Sequence, residues 1–300
     1  ERQRSGSGNW PTQCVAPDGG SAPCGPAAQQ CGRPLDPGGT SGPRFHVLDS
    51  SCGINDPNGP FQWNGLFHLF YQDHLAIPND GIGIGPVWGH VVSHDLATWA
   101  RLPVALWNDE WYDGRAVFTG STTIVPGRGP VIIYPGLCNS SNPPCQGATY
   151  AAATPADPTG DPLLANWTKS PGNPILNGTA DDPSTAWRTA AGEWRLIGNS
   201  GARGQRTKGV APVFATSGDP LHGPWRFVGD SGFPAGECPS LFPLPRLTNG
   251  TSAPAGEPMP THVYHRGYLL RQIFLLILSP FRLTDFFDGA GTFNTYEQRL

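Results

Sequence analysis

Glycine and proline occur so often in this chain that they leave little room for long helices. Together the 40 glycines and 34 prolines make up a quarter of the 300 residues. Proline lacks a backbone donor and glycine has a high entropic cost in a helix interior, so both residues interrupt helices. A hydrophobic content of 38% with 10 tryptophans argues against a disordered chain. We therefore expect many short strands joined by turns.

Short apolar segments between turn residues recur from Phe45 onward, which is typical of β-strands. No segment before residue 262 has a sustained helical periodicity. An all-β chain is therefore the predicted fold class. The predicted strands cover residues 66–71, 87–92, 116–125, 131–134, 150–153, 194–197 and 210–216.

The two ends of the chain differ in character from the middle. Residues 1–43 are rich in Gly, Ser, Pro and Gln, so we expect a disordered leader before a domain over residues 44–260. Residues 261–300 form a divergent terminal segment in which the apolar run 268–278 is too short and too charged to span a bilayer. This run fits a buried strand, a buried helix or a misjoined exon. The chain begins at Glu1 without a signal-like apolar run, and we expect a fragment.

Charge and cysteine spacing narrow the classes of partner. A net charge of -4 gives no electrostatic reason to expect nucleic acid or an anionic membrane, and it suits a neutral small molecule better. None of the seven cysteines has the paired two-residue spacing of a zinc site, so we expect no metal. Local disulfides would fit Cys14, Cys24 and Cys31, and also Cys138 with Cys145, and the odd count leaves a free thiol.

Four glycosylation sequons fit a secreted protein. They lie in segments rich in Gly, Pro and Ser, where an acceptor must be exposed. Each is weak by itself, and together they indicate the secretory route. The acceptor residues are Asn139, Asn166, Asn177 and Asn249.

The pentapeptide Asn55-Asp56-Pro57-Asn58-Gly59 precedes the predicted strand Leu66–Gln72. Taken alone it has the composition of a turn, because proline presets φ and Asn or Gly accepts a positive φ. Its context is more informative, since further short motifs follow in a fixed order. They are Trp88-Gly89-His90, Phe118-Thr119-Gly120-Ser121, Asp182-Pro183 and Gly236-Glu237-Cys238-Pro239.

In this order the motifs resemble those of glycoside hydrolase family 32, which includes the β-fructofuranosidases and invertases, over residues 45–244. The resemblance implies a five-bladed β-propeller, a fold whose inner strands gather distant residues around one axis. It also implies a C-terminal β-sandwich, and because recognisable sequence fades after Leu244 we expect the sandwich to be absent from this chain. Whether the last blade is complete stays open.

The resemblance assigns Asp56 as nucleophile, Glu237 as general acid/base and Asp182 as a stabiliser of the transition state. A retaining glycosidase needs one ionised carboxylate and one protonated carboxyl about 5 Å apart, and no cofactor. Substrate-binding positions implied in the same way are Asn55, Gln72, Phe118 and Ser121. The side-chain amides of Asn55 and Gln72 could equally cap a turn or pair across strands, and Phe118 could be a core residue. Cys238 either tunes Glu237 or is a small buried apolar residue, and we assign no role to His68, His90 or His94.

Three residues depart from the family pattern near the expected pocket. Gly53 and Gly83 stand where the family has tryptophans, and Asp181 replaces an arginine before Asp-Pro. An anion in place of a five-donor cation weakens recognition of substrate hydroxyls. We expect hydrolysis of terminal β-D-fructofuranosyl residues from sucrose and from short fructans, outside the cell or in the vacuole. The alternatives are a catalytically impaired propeller that binds sugar or protein, and a fructosyltransferase of the same family. Oligomeric state stays open.

Overall fold

The computed structural model describes residues 14–15, 21–22, 47, 53–74, 86–138, 148–178, 182–199, 210–243, 247–248, 251–252 and 262–267. Gly83, Asp181 and the apolar run 268–278 lie outside these residues. All helix or strand structure in the described part is β-strand, which confirms the predicted all-β class. No described segment forms a helix long and apolar enough to cross a membrane. Within the predicted leader, β1 (Cys14–Val15) pairs antiparallel with β2 (Ser21–Ala22).

The first large sheet is a four-stranded antiparallel meander. Its strands follow one another in chain order as β3 (Gly53–Trp63), β4 (Leu66–His74), β5 (Val87–Ser93) and β6 (Ala100–Leu106). Asn64 and Gly65 both have positive φ at the hairpin between β3 and β4, as a tight two-residue turn requires. The Asn-Asp-Pro-Asn-Gly pentapeptide lies inside β3, so it forms part of a strand and not a turn.

Two further sheets follow along the chain. The second contains β7 (Ala116–Val117), β8 (Ser121–Val125), β9 (Gly129–Leu137), β10 (Ala148–Pro155), β11 (Trp167–Lys169) and β12 (Leu176–Asn177). The third is a meander of β13 (Trp187–Arg188), β14 (Trp194–Ile197), β15 (Val210–Thr216) and β16 (Arg226–Pro234). Finally β17 (Glu237–Pro243) pairs with β20 (His262–Gly267), and β18 (Leu247–Thr248) pairs with β19 (Thr251–Ser252).

The apolar core lies between successive sheets. One cluster joins Phe70 and Trp88 of the first sheet to Ile132 and Tyr134 of the second. The next cluster joins the second sheet to Trp194, Leu196 and Phe214 of the third, and a smaller one joins Ile197 to Leu241 of β17. Sheets that bury each face against the next are the blades of a propeller. The total of five blades stays a prediction.

A buried lysine links the second sheet to the first. Lys169 on β11 contacts Asp113 Oδ2 at 2.6 Å and Asp109 Oδ1 at 2.8 Å, and it donates to the carbonyl of Trp107 at 2.5 Å. Tyr134 donates to the same Asp113 oxygen at 2.9 Å. Burial raises the pKa of Asp113 to about 6, although the Lys169 ammonium opposes the shift. The segment between β6 and β7 is therefore fixed by a network around one buried carboxylate.

A buried histidine pair lies between the aromatic rings of the first sheet. His68 Nδ1 and His90 Nε2 are 3.1 Å apart, the His68 ring stacks on Phe61 at 4.6 Å, and the His90 ring stacks on Phe70 at 4.4 Å. Burial lowers the pKa of His68 to about 4, and Asp161 opposes this shift. Burial also lowers the pKa of His90 well below its usual value, and proximity to His68 adds to this. Both rings are therefore neutral at mildly acidic pH.

This pair predicts a loss of stability in acid. An unfolded histidine takes up its proton near pH 6.5, whereas folded His68 does so only near pH 4. The contribution of neutral His68 to the free energy of unfolding is therefore complete above pH 6.5 and is lost as pH falls from 6.5 to 4. Glutamine does not titrate in this range, so a His68→Gln variant lacks this pH-dependent contribution to stability. We expect the stability advantage of the wild type over the variant to shrink by about 3 kcal/mol from pH 7 to pH 4. Urea unfolding at both values measures it, and an unchanged difference would contradict the prediction.

Candidate active site

Asp56 lies at a β-bulge in the first strand of the first sheet. Asn55 pairs with Gln72 and Pro57 pairs with Tyr71, so Asp56 has no partner residue on β4. An extra residue in one strand disrupts the alternation of side chains and redirects the bulged residue. Asp56 is partly exposed, between the exposed Asn55 and the buried Asn58. The pentapeptide thus presents one carboxylate away from the regular face of the sheet.

Two donors hold one oxygen of this carboxylate. Thr119 Oγ1 donates to Asp56 Oδ2 at 2.6 Å, and Gln72 Nε2 lies 3.3 Å from the same atom and 2.6 Å from Thr119 Oγ1. Asn55 Nδ2 donates to Gln72 Oε1 at 2.9 Å, which orients the glutamine amide. Hydrogen bonds to an ionised carboxylate favour its charged form. Both donors act on Oδ2, and no described residue donates to Oδ1.

Backbone contacts bring Thr119 to this position. Gly59 N–H donates to the carbonyl of Gly120 at 3.2 Å, and Gly120 N–H donates to Asn58 Oδ1 at 3.3 Å. A Cβ at Gly120 would lie 2.3 Å from the carbonyl oxygen of Ile133, so only glycine allows this close approach to β9. The segment between β7 and β8 is thereby bound directly to the pentapeptide of β3.

Glu237 opens β17 next to a second irregularity. Glu237 pairs with Gly267 and Ser240 with His265, so the register shifts across Cys238 and Pro239. Cys238 has a φ of 50°, in the left-handed region that residues other than glycine rarely adopt. The Glu237 side chain is exposed. The second predicted carboxylate is thus also placed where regular strand pairing is interrupted.

Asp182 precedes β13 and is held by contacts from two directions. Asn199 Nδ2 donates to Asp182 Oδ2 at 3.2 Å, and the Cys238 N–H donates to the same oxygen at 3.1 Å. Its own φ is 53°. The segment after it is fixed because Ala186 N–H donates to Thr123 Oγ1 at 2.8 Å. Asp182 is therefore linked directly to the residue beside Glu237.

The pKa of the Cys238 thiol is affected by all three carboxylates. Burial raises the pKa of this thiol, and the negative charges of Asp182, Asp56 and Glu237 raise it further, in that order. Cys238 is a free cysteine, whereas Cys138 is disulfide-bonded. The three carboxylates come from three separate parts of the chain. The thiol itself stays neutral there.

Of the predicted binding residues, the structure brings Asn55 and Gln72 into the Asp56 network. Phe118 is partly buried, and its carbonyl accepts from Trp88 Nε1 at 3.0 Å. The hydroxyl of Ser121 is buried and has no hydrogen-bond partner within the described ranges. Sequence reasoning missed Thr119, although it lies in the quoted Phe-Thr-Gly-Ser motif. It also missed Asn199 and His74, whose positions no motif indicated.

A family model and several known relatives match this chain. Residues 46–268 match the glycosyl hydrolases family 32 N-terminal domain. The chain is 41% identical over 179 residues to an acid beta-fructofuranosidase of Phaseolus vulgaris, covering 57% of this chain and 26% of that protein. It is 35% identical over 238 residues to an insoluble beta-fructofuranosidase isoenzyme of Arabidopsis thaliana, and the match covers 74% of this chain and 37% of that protein. Other matching relatives are named as vacuolar.

A solved structure of a fructan exohydrolase also matches this chain. Fructan 1-exohydrolase IIa from Cichorium intybus superposes with a TM-score of 0.58 at 30% identity, covering 74% of this chain and 41% of that enzyme. The chain thus spans between a quarter and two fifths of the length of these relatives. The match confirms the resemblance drawn from the motifs and the propeller class of the fold. The chain belongs to glycosyl hydrolase family 32, whose N-terminal domain it matches over residues 46–268.

Proposed function

We propose that this chain carries the catalytic centre of a retaining β-fructofuranosidase, which releases terminal β-D-fructofuranosyl residues from sucrose and short fructans. The observations that carry the proposal are the hydrogen bonds from Thr119 and Gln72 that hold Asp56, and the hydrogen bond from the Cys238 N–H, beside Glu237, to Asp182. Relatives named for this activity, at 35% and 41% identity, support the substrate class. A variant of the chicory enzyme was crystallised with 1-kestose, a short fructan.

The proposed reaction has two steps. Asp56 Oδ1 attacks the anomeric carbon of the fructosyl unit while Glu237 gives its proton to the departing glycosidic oxygen, which leaves as an alcohol. A fructosyl ester on Asp56 results. Glu237, now ionised, takes a proton from water, and the water oxygen attacks the same carbon, which releases fructose and restores both carboxyls. Asp182 accepts hydrogen bonds from fructose hydroxyls that strengthen as positive charge develops on the ring.

The hydrogen bonds at the site suit this division of roles. Thr119 and Gln72 hold Oδ2 of Asp56 and so fix the orientation of the carboxylate, which a nucleophile requires. The Glu237 side chain is exposed, so water can reach it, as the second step requires. A vacuolar or extracellular location fits the relatives and the disulfide at Cys138.

The role of Glu237 predicts a dependence on the leaving group. Replacing Glu237 with glutamine removes the proton donor, so we expect kcat/KM for sucrose to fall by about 10²- to 10⁴-fold. The phenol of an aryl β-fructofuranoside with an acidic leaving group needs little protonation. The kcat/KM of Glu237→Gln for this substrate should therefore fall much less than its kcat/KM for sucrose. We would measure kcat/KM for sucrose from the release of glucose and fructose, and kcat/KM for the aryl substrate from the release of the phenol.

Product analysis separates the alternatives for the wild-type chain. Equal glucose and fructose from sucrose support hydrolysis. Excess glucose with growing oligosaccharides would instead mean transfer to a second sugar. No release by protein with a folded circular dichroism spectrum would overturn the proposal in favour of an impaired propeller. Equal losses on both substrates in Glu237→Gln would contradict its role as acid.

A further inference from the structure

His74 is the last residue of β4, and its position in the sheet places it beside the Asp56 network. Successive side chains of a strand alternate between faces, so Gln72 and His74 share one face. Asn55 pairs directly with Gln72, and Gly53 pairs with His74. The Asn55 amide therefore lies between the two β4 side chains. His74 Nε2 is 2.5 Å from Asn55 Oδ1.

His74, Asn55, Gln72 and Asp56 form a row of hydrogen bonds. The Asp56 carboxylate fixes the direction of each hydrogen bond in this row. Ionised Asp56 can only accept, so the Gln72 amide must turn its NH₂ group toward Asp56 and its oxygen toward Asn55. Asn55 must then turn its own NH₂ group toward Gln72 and its oxygen toward His74. His74 can meet that oxygen only as a donor, with the proton on Nε2. The row thus runs in one direction from His74 to Asp56.

We infer that His74 is a positioning residue for Asp56, which acts through Asn55 and Gln72; this rests on the proposed role of Asp56 as nucleophile. Hydrogen bonds aligned in one direction polarise and strengthen one another. Without His74, the oxygen of Asn55 loses its donor, the two amides can rotate, and Gln72 no longer has a fixed orientation at Asp56. His74 makes no contact with the carboxylate itself and is not a catalytic residue.

The donor on Nε2 is present in both charge states of the ring. Burial lowers the pKa of His74, and the charge of Asp56 opposes this shift. A neutral ring keeps its proton on Nε2 because Asn55 accepts it, and protonation adds a second proton on Nδ1 without removing the first. Protonation of His74 therefore does not break its hydrogen bond to Asn55.

Two substitutions test this role against a merely structural one. His74→Leu removes the donor, whereas His74→Gln keeps an N–H of similar reach. For the full chain acting on sucrose we expect His74→Leu to lower kcat about tenfold with KM changed less than about twofold, and His74→Gln to recover most of kcat. His222→Leu is the matched control, since His222 contacts Ser170 and lies outside the site. Equal losses in both His74 variants, or an unchanged kcat in His74→Leu, would overturn the inference.

A second measurement does not depend on activity. His74 is exposed, so the test reads its tautomer. In ¹⁵N-edited NMR spectra with labelled histidine, we expect the ring nitrogen signals of neutral His74 to show the proton on Nε2, and Asn55→Leu to admit the tautomer with the proton on Nδ1. A signal unaffected by Asn55→Leu would show that the hydrogen bond is absent and overturn the inference. If the signal behaves as expected while no variant or wild-type protein releases sugar, the row exists and the proposed function has failed.

Discussion

Replacing Asp56 with asparagine is expected to lower kcat for sucrose by about four orders of magnitude or more, the usual cost of removing a nucleophile. The amide matches the carboxylate in shape and can still accept hydrogen bonds from Thr119 and Gln72 through its oxygen. It cannot form the fructosyl ester. The fold should therefore stay intact while the first chemical step is lost. Release of fructose, measured with large amounts of enzyme, gives the residual rate.

A matched control distinguishes loss of the nucleophile from loss of charge. Asp230→Asn changes an exposed aspartate on β16 and should leave kcat within about twofold, since surface substitutions rarely disturb a fold. Normal turnover by Asp56→Asn would refute the assignment of the nucleophile. Circular dichroism and thermal unfolding of both variants confirm that any loss of rate comes from the site.

Replacing Lys169 with methionine is expected to destabilise the fold by about 3 to 5 kcal/mol at pH 8, because it leaves a buried charge without its partner. The Asp113 carboxylate is fully buried, whereas the Asp109 side chain is 33% exposed and can turn into water. Methionine preserves most of the volume of the lysine stem. The loss should therefore come from Asp113. Such a change removes a large part of the stability of an ordinary domain.

The same variant should lose less stability at low pH. Burial raises the pKa of folded Asp113 to about 6, above its unfolded value of 3.8, so its charge costs stability only as pH rises through that range. At pH 5 the carboxyl is already largely protonated and needs the lysine less. Urea unfolding at pH 5 and pH 8 measures the difference. Equal destabilisation at both values would mean that the loss comes from packing.

A surface ion pair serves as the control for this experiment. The Arg226 guanidinium contacts Glu193 at 2.6 Å, yet its side chain is 62% exposed. Exposed pairs contribute little because water and salt screen them, so Arg226→Met should cost less than about 1 kcal/mol. A loss as large as that of Lys169→Met would show that the effect is not specific to buried charge.

Predictions from the sequence were good where local pattern decides structure. The ranges 194–197 and 210–216 coincide with β14 and β15, because short apolar runs between turn residues have few other solutions. The predicted strand 116–125 is divided into β7 and β8 by Phe118, Thr119 and Gly120. That interruption depends on a contact with β9 and on contacts with β3, which is 62 residues away at Asn58. No local pattern could reveal it.

The sequence by itself determined the all-β class, the family and the three carboxylates of the proposed site. These follow from the spacing of glycine and proline and from short motifs in a fixed order. The tertiary structure decided how those carboxylates are presented. The bulge at Asp56, the left-handed backbone at Asp182 and Cys238, and the donors Thr119, Asn199 and His74 arise from contacts between different strands and loops. Hydrogen-bond register between such strands is a property of the assembled sheets, and no single segment of the chain encodes it.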